Sequence, residues 1–200
     1  MFRDFRFSMI FIASAIGTFP LFVPPFFLPL YSRSLGFSTK TGAGLVAGFN
    51  LASAAGRVGC GLATDRIGPL NTLILSLVGS ALSMLALWPV STTLAPMAVF
   101  VVLNGASNGG FFSTMPTVVG NVFGSARVSL VMGMVVTGWT AGYLMGAPIA
   151  GYLLAAYGGT DEGIKAYRPA MFYAGTLAFG AAGFAAFARL RINSKLKSRV

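Results

Sequence analysis

The stretch GRVGCGLATDRIGPL, from Gly56 to Leu70, gathers Arg57, Asp65 and Arg66 in a chain of which only 9% is charged. A guanidinium can hold a carboxylate through a planar, two-pronged fork of hydrogen bonds. A carboxylate beside arginines can pair with them or cap a neighbouring helix, and the Gly68-Pro69 step that follows forces a tight turn. Other chemistries lack their groups. There is no histidine and Cys60 is the single cysteine, so a Ser-His or Cys-His nucleophile, a histidine-ligated metal and an intrachain disulfide cannot be built. The four acids, Asp4, Asp65, Asp161 and Glu162, fall at expected span ends or in loops, so no carboxylates meet inside an apolar segment. A dinucleotide-binding reading of the glycines fails because Thr64 stands where G-x-G-x-x-G needs its third glycine and no strand precedes it. No metal, no cofactor and no enzymatic activity are expected.

The elements that must position these residues are written in the composition. With 56% hydrophobic residues, and charge far below the roughly 25% of soluble domains, the chain cannot make a water-facing surface. Six apolar stretches are long enough to cross a hydrocarbon core, which needs about 20 helical residues. They run approximately Ser8 to Leu30, Gly42 to Ala63, Leu70 to Trp88, Leu94 to Val118, Leu130 to Ala156 and Pro169 to Ala188. The expected fold is therefore all-α and integral to the lipid bilayer. The first stretch is kept as a span, because its apolar run continues to Leu30, past any cleavage at Ala13-Ser14-Ala15.

The net charge of +10 raises the question of nucleic acid, but the cations sort by side of the membrane. Arg3, Arg6, Arg57, Arg66, Arg127 and the tail's Arg189, Arg191, Lys195, Lys197 and Arg199 fall on the side of the N-terminus. Arg33, Lys40, Lys165 and Arg168 fall on the other. Cytoplasmic loops concentrate Lys and Arg, so both termini are expected in the cytoplasm and no nucleic-acid partner is expected.

GLATDRIG, carrying Gly61, Asp65, Arg66 and Gly68, resembles the G-x-x-x-D-R-x-G loop signature of the major facilitator superfamily, although Pro69 and Leu70 stand where the strong form continues with basic residues. That departure matches the degenerate copy between spans eight and nine. LVPPFFLPLY, NLASAAGR, NGASNGGFFSTMPTVVGNVFG and GYLMGAPIAGYLLAAYGG look like the C-terminal half of fungal monocarboxylate-transporter-like proteins. The resemblance implies six transmembrane helices forming one half of a twelve-helix fold. Residues 1–7 are then the remnant of a central cytoplasmic loop, 8–189 spans seven to twelve, and 190–200 a basic cytoplasmic tail. The implied function is secondary transport of a small organic solute, monocarboxylate-like, by alternating access in the plasma or vacuolar membrane. The partner would be the missing N-terminal six-helix half or a second copy of the chain. The alternative is a non-transporting six-span protein that assembles with or regulates a complete transporter. Such a resemblance also places Arg57 where these transporters carry an arginine that meets a substrate carboxylate, but Ser53 stands where they carry an aspartate one turn earlier.

Asn50, Asn104 and Asn108 join Arg57 as candidates for substrate contact, and the resemblance, which sets spans eight and eleven along the joint between halves, implies Trp139 at the cavity's border. Asn104 and Asn108 lie one turn apart on one helical face, suited to a polar solute or to bonds between helices. Pro20, Pro24, Pro25 and Pro29 each remove a backbone donor and should break the first span. Gly138, Gly142 and Gly146, followed by Pro148 and Gly151, form a small-residue stripe for close helix packing against the other half or a neighbouring span. From the charge asymmetry, a tag at either terminus should be protected in sealed, right-side-out membrane vesicles. External labelling of the C-terminal tail would overturn that topology.

Overall fold

The computed structural model describes Met1, residues 4–160 and residues 163–192. Arg3, Asp161, Glu162 and the tail from residue 193, with Lys195, Lys197 and Arg199, lie outside the described residues. Among the described residues, six helical spans are long and apolar enough to cross a membrane. The first, Phe5–Ser34, is divided at Phe22 into α1 (Phe5–Leu21) and α2 (Val23–Ser34). The others are α3 (Thr39–Ile67), α4 (Pro69–Leu82), α5 (Leu94–Phe123), α6 (Val128–Ala156) and α7 (Ile164–Ile192). A π turn over Ser83–Leu87 and a 3-10 turn over Trp88–Val90 extend α4.

The boundaries have local causes. The Asp4 carboxylate accepts the Arg6 N–H at 3.0 Å, so α1 begins inside the segment expected to precede the first span. Ser38 caps α3 by accepting from the Thr41 N–H at 3.2 Å. At the other end of α3, Gly68 takes φ 93°, a conformation side chains resist, and Pro69 opens α4 immediately. This is the tight turn that the Gly-Pro step implies. At the C-terminal end, α7 runs on through Arg189 and Arg191 to Ile192, into the stretch expected to be tail.

Helix contacts are set by glycines where backbones meet. α3 and α5 run parallel: a methyl group at Gly56 would overlap the Ala106 backbone, one at Gly109 the Ser53 carbonyl, and one at Gly105 would stand 2.6 Å from the Phe49 carbonyl oxygen. The stripe on α6 meets α1 of the same bundle, Gly138 against the Phe11 ring, Gly142 against Thr18 and Gly146 against the Phe19 backbone. Pro148 is exposed, and a methyl group at Gly151 would meet nothing within 4 Å, so these two residues stand outside that contact.

Two apolar cores stack along the bundle. One gathers Phe7, Ile10, Leu21, Leu73, Phe111, Val135 and Ala181; the other gathers Val23, Phe27, Tyr31, Trp88, Phe100 and Tyr167. In the first span the boundary between them falls at the break. Burial is uneven around the bundle. In an apolar 18-residue stretch of each span, only 22% of residues are buried in the second and fifth, against 44% to 56% in the other four. α3 and α6 therefore present the bundle's open faces.

The α3–α5 contact makes a sharp stability forecast. Gly109→Val should destabilise the detergent-purified protein by about 1–3 kcal/mol or more, because the branched side chain has only backbone to displace. Gly59→Ala, which faces open space on the same pair of helices, should stay within about 0.5 kcal/mol of the parent. Equal melting of the two variants would show that α3 and α5 do not meet there.

Candidate substrate recess

The break in the first span, together with α3, α5 and α6, encloses one side of a recess of about 450 Å³. Leu21, Phe22, Pro25 and Phe26 come from the break, Val46, Phe49, Asn50, Ser53 and Arg57 from α3, Asn108 and Phe112 from α5, and Tyr143 from α6. The volume suits a small organic molecule, and mostly apolar walls with a few convergent polar groups are what such sites present.

Arg57 lies ten residues before the end of α3, a rise of roughly 15 Å into the bundle. Its side chain turns across to α5, with the guanidinium carbon 5.6 Å from the centroid of the Phe112 ring. A cation over an aromatic face gains about 0.5–1 kcal/mol when exposed, which holds the head against the wall without consuming all its donors. Among the described residues, the ion pair is Arg6 with Asp4 at 3.6 Å, and no carboxylate pairs with Arg57. Across the recess, Phe22 meets Tyr143 edge-on at 5.1 Å. On α5 the Asn108 amide donates to the Leu21 carbonyl at 2.8 Å, in the wall itself.

Of the residues proposed from sequence for substrate contact, Asn50, Arg57 and Asn108 come together in this recess; Asn104 and Trp139 do not line it. Asn104 is 1% exposed and turned toward α4 and the π turn that extends it, where its amide donates to the Ser83 hydroxyl at 2.8 Å and sits 3.4 Å from the Ser80 carbonyl and hydroxyl. It bonds helix to helix beside the π turn. Trp139 stands behind the wall, edge-on to Phe112 at 6.0 Å and to Tyr143 at 6.2 Å, with no hydrogen-bond partner for its indole N–H among the described residues. Sequence reasoning missed Phe22, Phe49, Phe112 and Tyr143 as wall residues, because an aromatic in an apolar span carries no mark of which face it occupies. One available signal was Phe112, four residues after Asn108 and so on the same helical face.

The charged loop motif lies away from the recess. Asp65 and Arg66 are exposed in the last turn of α3, and Gly61 is open to its surroundings. Among the described residues Asp65 makes no ion pair, and no side chain caps the N-terminus of α4. Neither form of the expected staple is made within this bundle. A carboxylate at a helix C-terminus also lies against the helix dipole, so its placement there is not a local stabilising device.

A family profile, the Major Facilitator Superfamily, matches residues 6–199. The chain belongs to that superfamily. Among similar proteins is the Aspyridones efflux protein apdF of Emericella nidulans, 36% identical over 80% of this chain and 33% of its own length. The MFS transporter asaE of Aspergillus flavus is 29% identical over 84% of this chain and 39% of its own. The Agnestins efflux protein AgnL12 of Paecilomyces divaricatus is 29% identical over 94% of this chain and 42% of its own. The chain thus spans about two fifths or less of the length of these relatives. All three carry transporter or efflux names, and the superfamily consists of transporters rather than enzymes.

Asp65 can be tested without knowing the solute. Because it has no ion-pair partner among the described residues, Asp65→Asn should change thermal stability of the six-helix bundle by less than about 0.5 kcal/mol. A larger loss would show that the carboxylate holds this bundle together by itself.

Proposed function

We propose that the chain forms the substrate-binding and rocking half of a secondary transporter that moves a small organic anion by alternating access. A carboxylate-bearing metabolite fits this reading, and the efflux names of the relatives favour export. The single observation that carries it is Arg57, a cation held deep in a membrane-spanning helix at the wall of a solute-sized recess, with no carboxylate partner among the described residues. An ionisable group within a span is expensive unless it faces a cavity or a partner. With Ser53 one turn earlier in place of a carboxylate, the natural counterion is the solute itself.

Exposure of α3 and α6 supports the second part of the reading. Asn50 and Arg57 lie on the open face of α3, and an amide and a charge are costly against lipid tails at mid-span. A further six-helix unit, from the same polypeptide or from a second copy, would cover them and close the recess. In that assembly Asp65 would find its basic partners across the joint, with both termini in the cytoplasm and the bundle in the plasma or vacuolar membrane.

The experiment is transport at matched membrane expression in the complete protein. Arg57→Lys keeps the charge but loses the planar fork, and should reduce transport about tenfold or more, as expected for one charged hydrogen bond lost in a site. Arg57→Ala should abolish it. Wild-type transport by the Lys variant would refute the substrate role, since a residue that only reached for the interface is replaced by lysine without loss.

A further inference from the structure

The first span contains one carbonyl that its own helix cannot serve. In a continuous helix the Leu21 carbonyl would accept from residue 25, or in a tighter turn from residue 24. Both are prolines and neither has an N–H. Its neighbours are provided for by backbone, the Phe22 N–H bonding to the Pro20 carbonyl and the Phe26 N–H to the Phe22 carbonyl at 3.3 Å. The donor that reaches Leu21 is a side chain distant in sequence, the Asn108 amide at 2.8 Å. Asn108 is 7% exposed and is followed by Gly109, whose backbone contact with Ser53 fixes α5 against α3. The donor is therefore mounted on a rigid platform, and the acceptor on the most weakly bonded point of the first span.

We propose that Asn108 is a positioning residue that replaces the missing Pro25 N–H and thereby sets the angle between α1 and α2. Leu21, Phe22, Pro25 and Phe26, which that angle places, form one wall of the recess. One N–H of the Asn108 amide is thus committed to the backbone, and through it the residue acts on a solute by way of the wall it holds. In lipid an unserved carbonyl is costly, so loss of this donor leaves the break free to sample angles that recruit another donor. This inference deepens the transport reading, because the wall it positions is the one assigned to the solute. Its test needs no solute, and so succeeds or fails independently of that reading.

The test exploits the chemistry of the defect: if Asn108 substitutes for an N–H at residue 25, restoring that N–H should make Asn108 dispensable. Spin labels at Arg6→Cys and Leu30→Cys, both exposed positions flanking the break, report the α1–α2 geometry of the complete protein in a background where Cys60 and every other native cysteine are replaced by serine. Asn108→Leu, similar in size but without a donor, should broaden the distance distribution. Adding Pro25→Ala should narrow it again to the parent width or below. If Asn108→Leu alone fails to insert in the membrane, Pro25→Ala should restore insertion. An unchanged distribution in Asn108→Leu, or a double variant as broad or as poorly inserted as the single one, would overturn the proposal.

Discussion

In hydrocarbon a polypeptide must hydrogen-bond its own backbone, and the first span of this chain strains that requirement more than any other. Pro20, Pro24, Pro25 and Pro29 withdraw four donors from a single span. Ser14, Thr18 and Ser32 return their hydroxyls to carbonyls of the preceding turn at 2.7–3.0 Å, but those carbonyls, of Phe11, Ala15 and Pro29, are not the ones the prolines deprive. Such back-bonding bends helices slightly. At Leu21 the nearby side chains do not suffice, and the chain uses an asparagine from another span. The break, the recess beside it and the boundary between the two apolar cores all fall at this level of the bundle.

The rest of the recess follows from how closely helices are allowed to approach. Glycines at positions 56, 105 and 109 bring the α3 and α5 backbones together, so Arg57 reaches the Phe112 ring without extending into lipid. Glycines at positions 138, 142 and 146 bring α6 onto α1, which presents Tyr143 to Phe22 across the break. Small residues here do no chemistry, yet they decide which polar and aromatic groups share one volume.

How much of this is legible in the sequence differs by level. The six spans, the fold class and the break follow from length, apolarity and proline chemistry, and they agree with the structure apart from boundaries set by caps such as Asp4. The site was partly legible. Arg57 announces itself as a charge in an apolar helix. Asn104 and Asn108 are equivalent in any pattern of spacing, yet one turns to the hydroxyls of Ser80 and Ser83 and the other to a proline-orphaned carbonyl. Nothing within α5 distinguishes them, because the difference lies in which helix each one meets. The α6 stripe was legible as a packing surface, but its partner, α1, was not.

The backbone contact between α3 and α5 also restricts how this bundle can deform. Sliding one helix along the other would drive the Cα atoms of residues 105 and 109 over the carbonyls of residues 49 and 53, and those carbonyls cannot step aside as a side chain can. α3 and α5 are thus packed as a single stiff jaw, with Arg57 on one blade and Asn108 on the other. Compliance is left to the opposing jaw, where a helix interrupted by prolines can hinge.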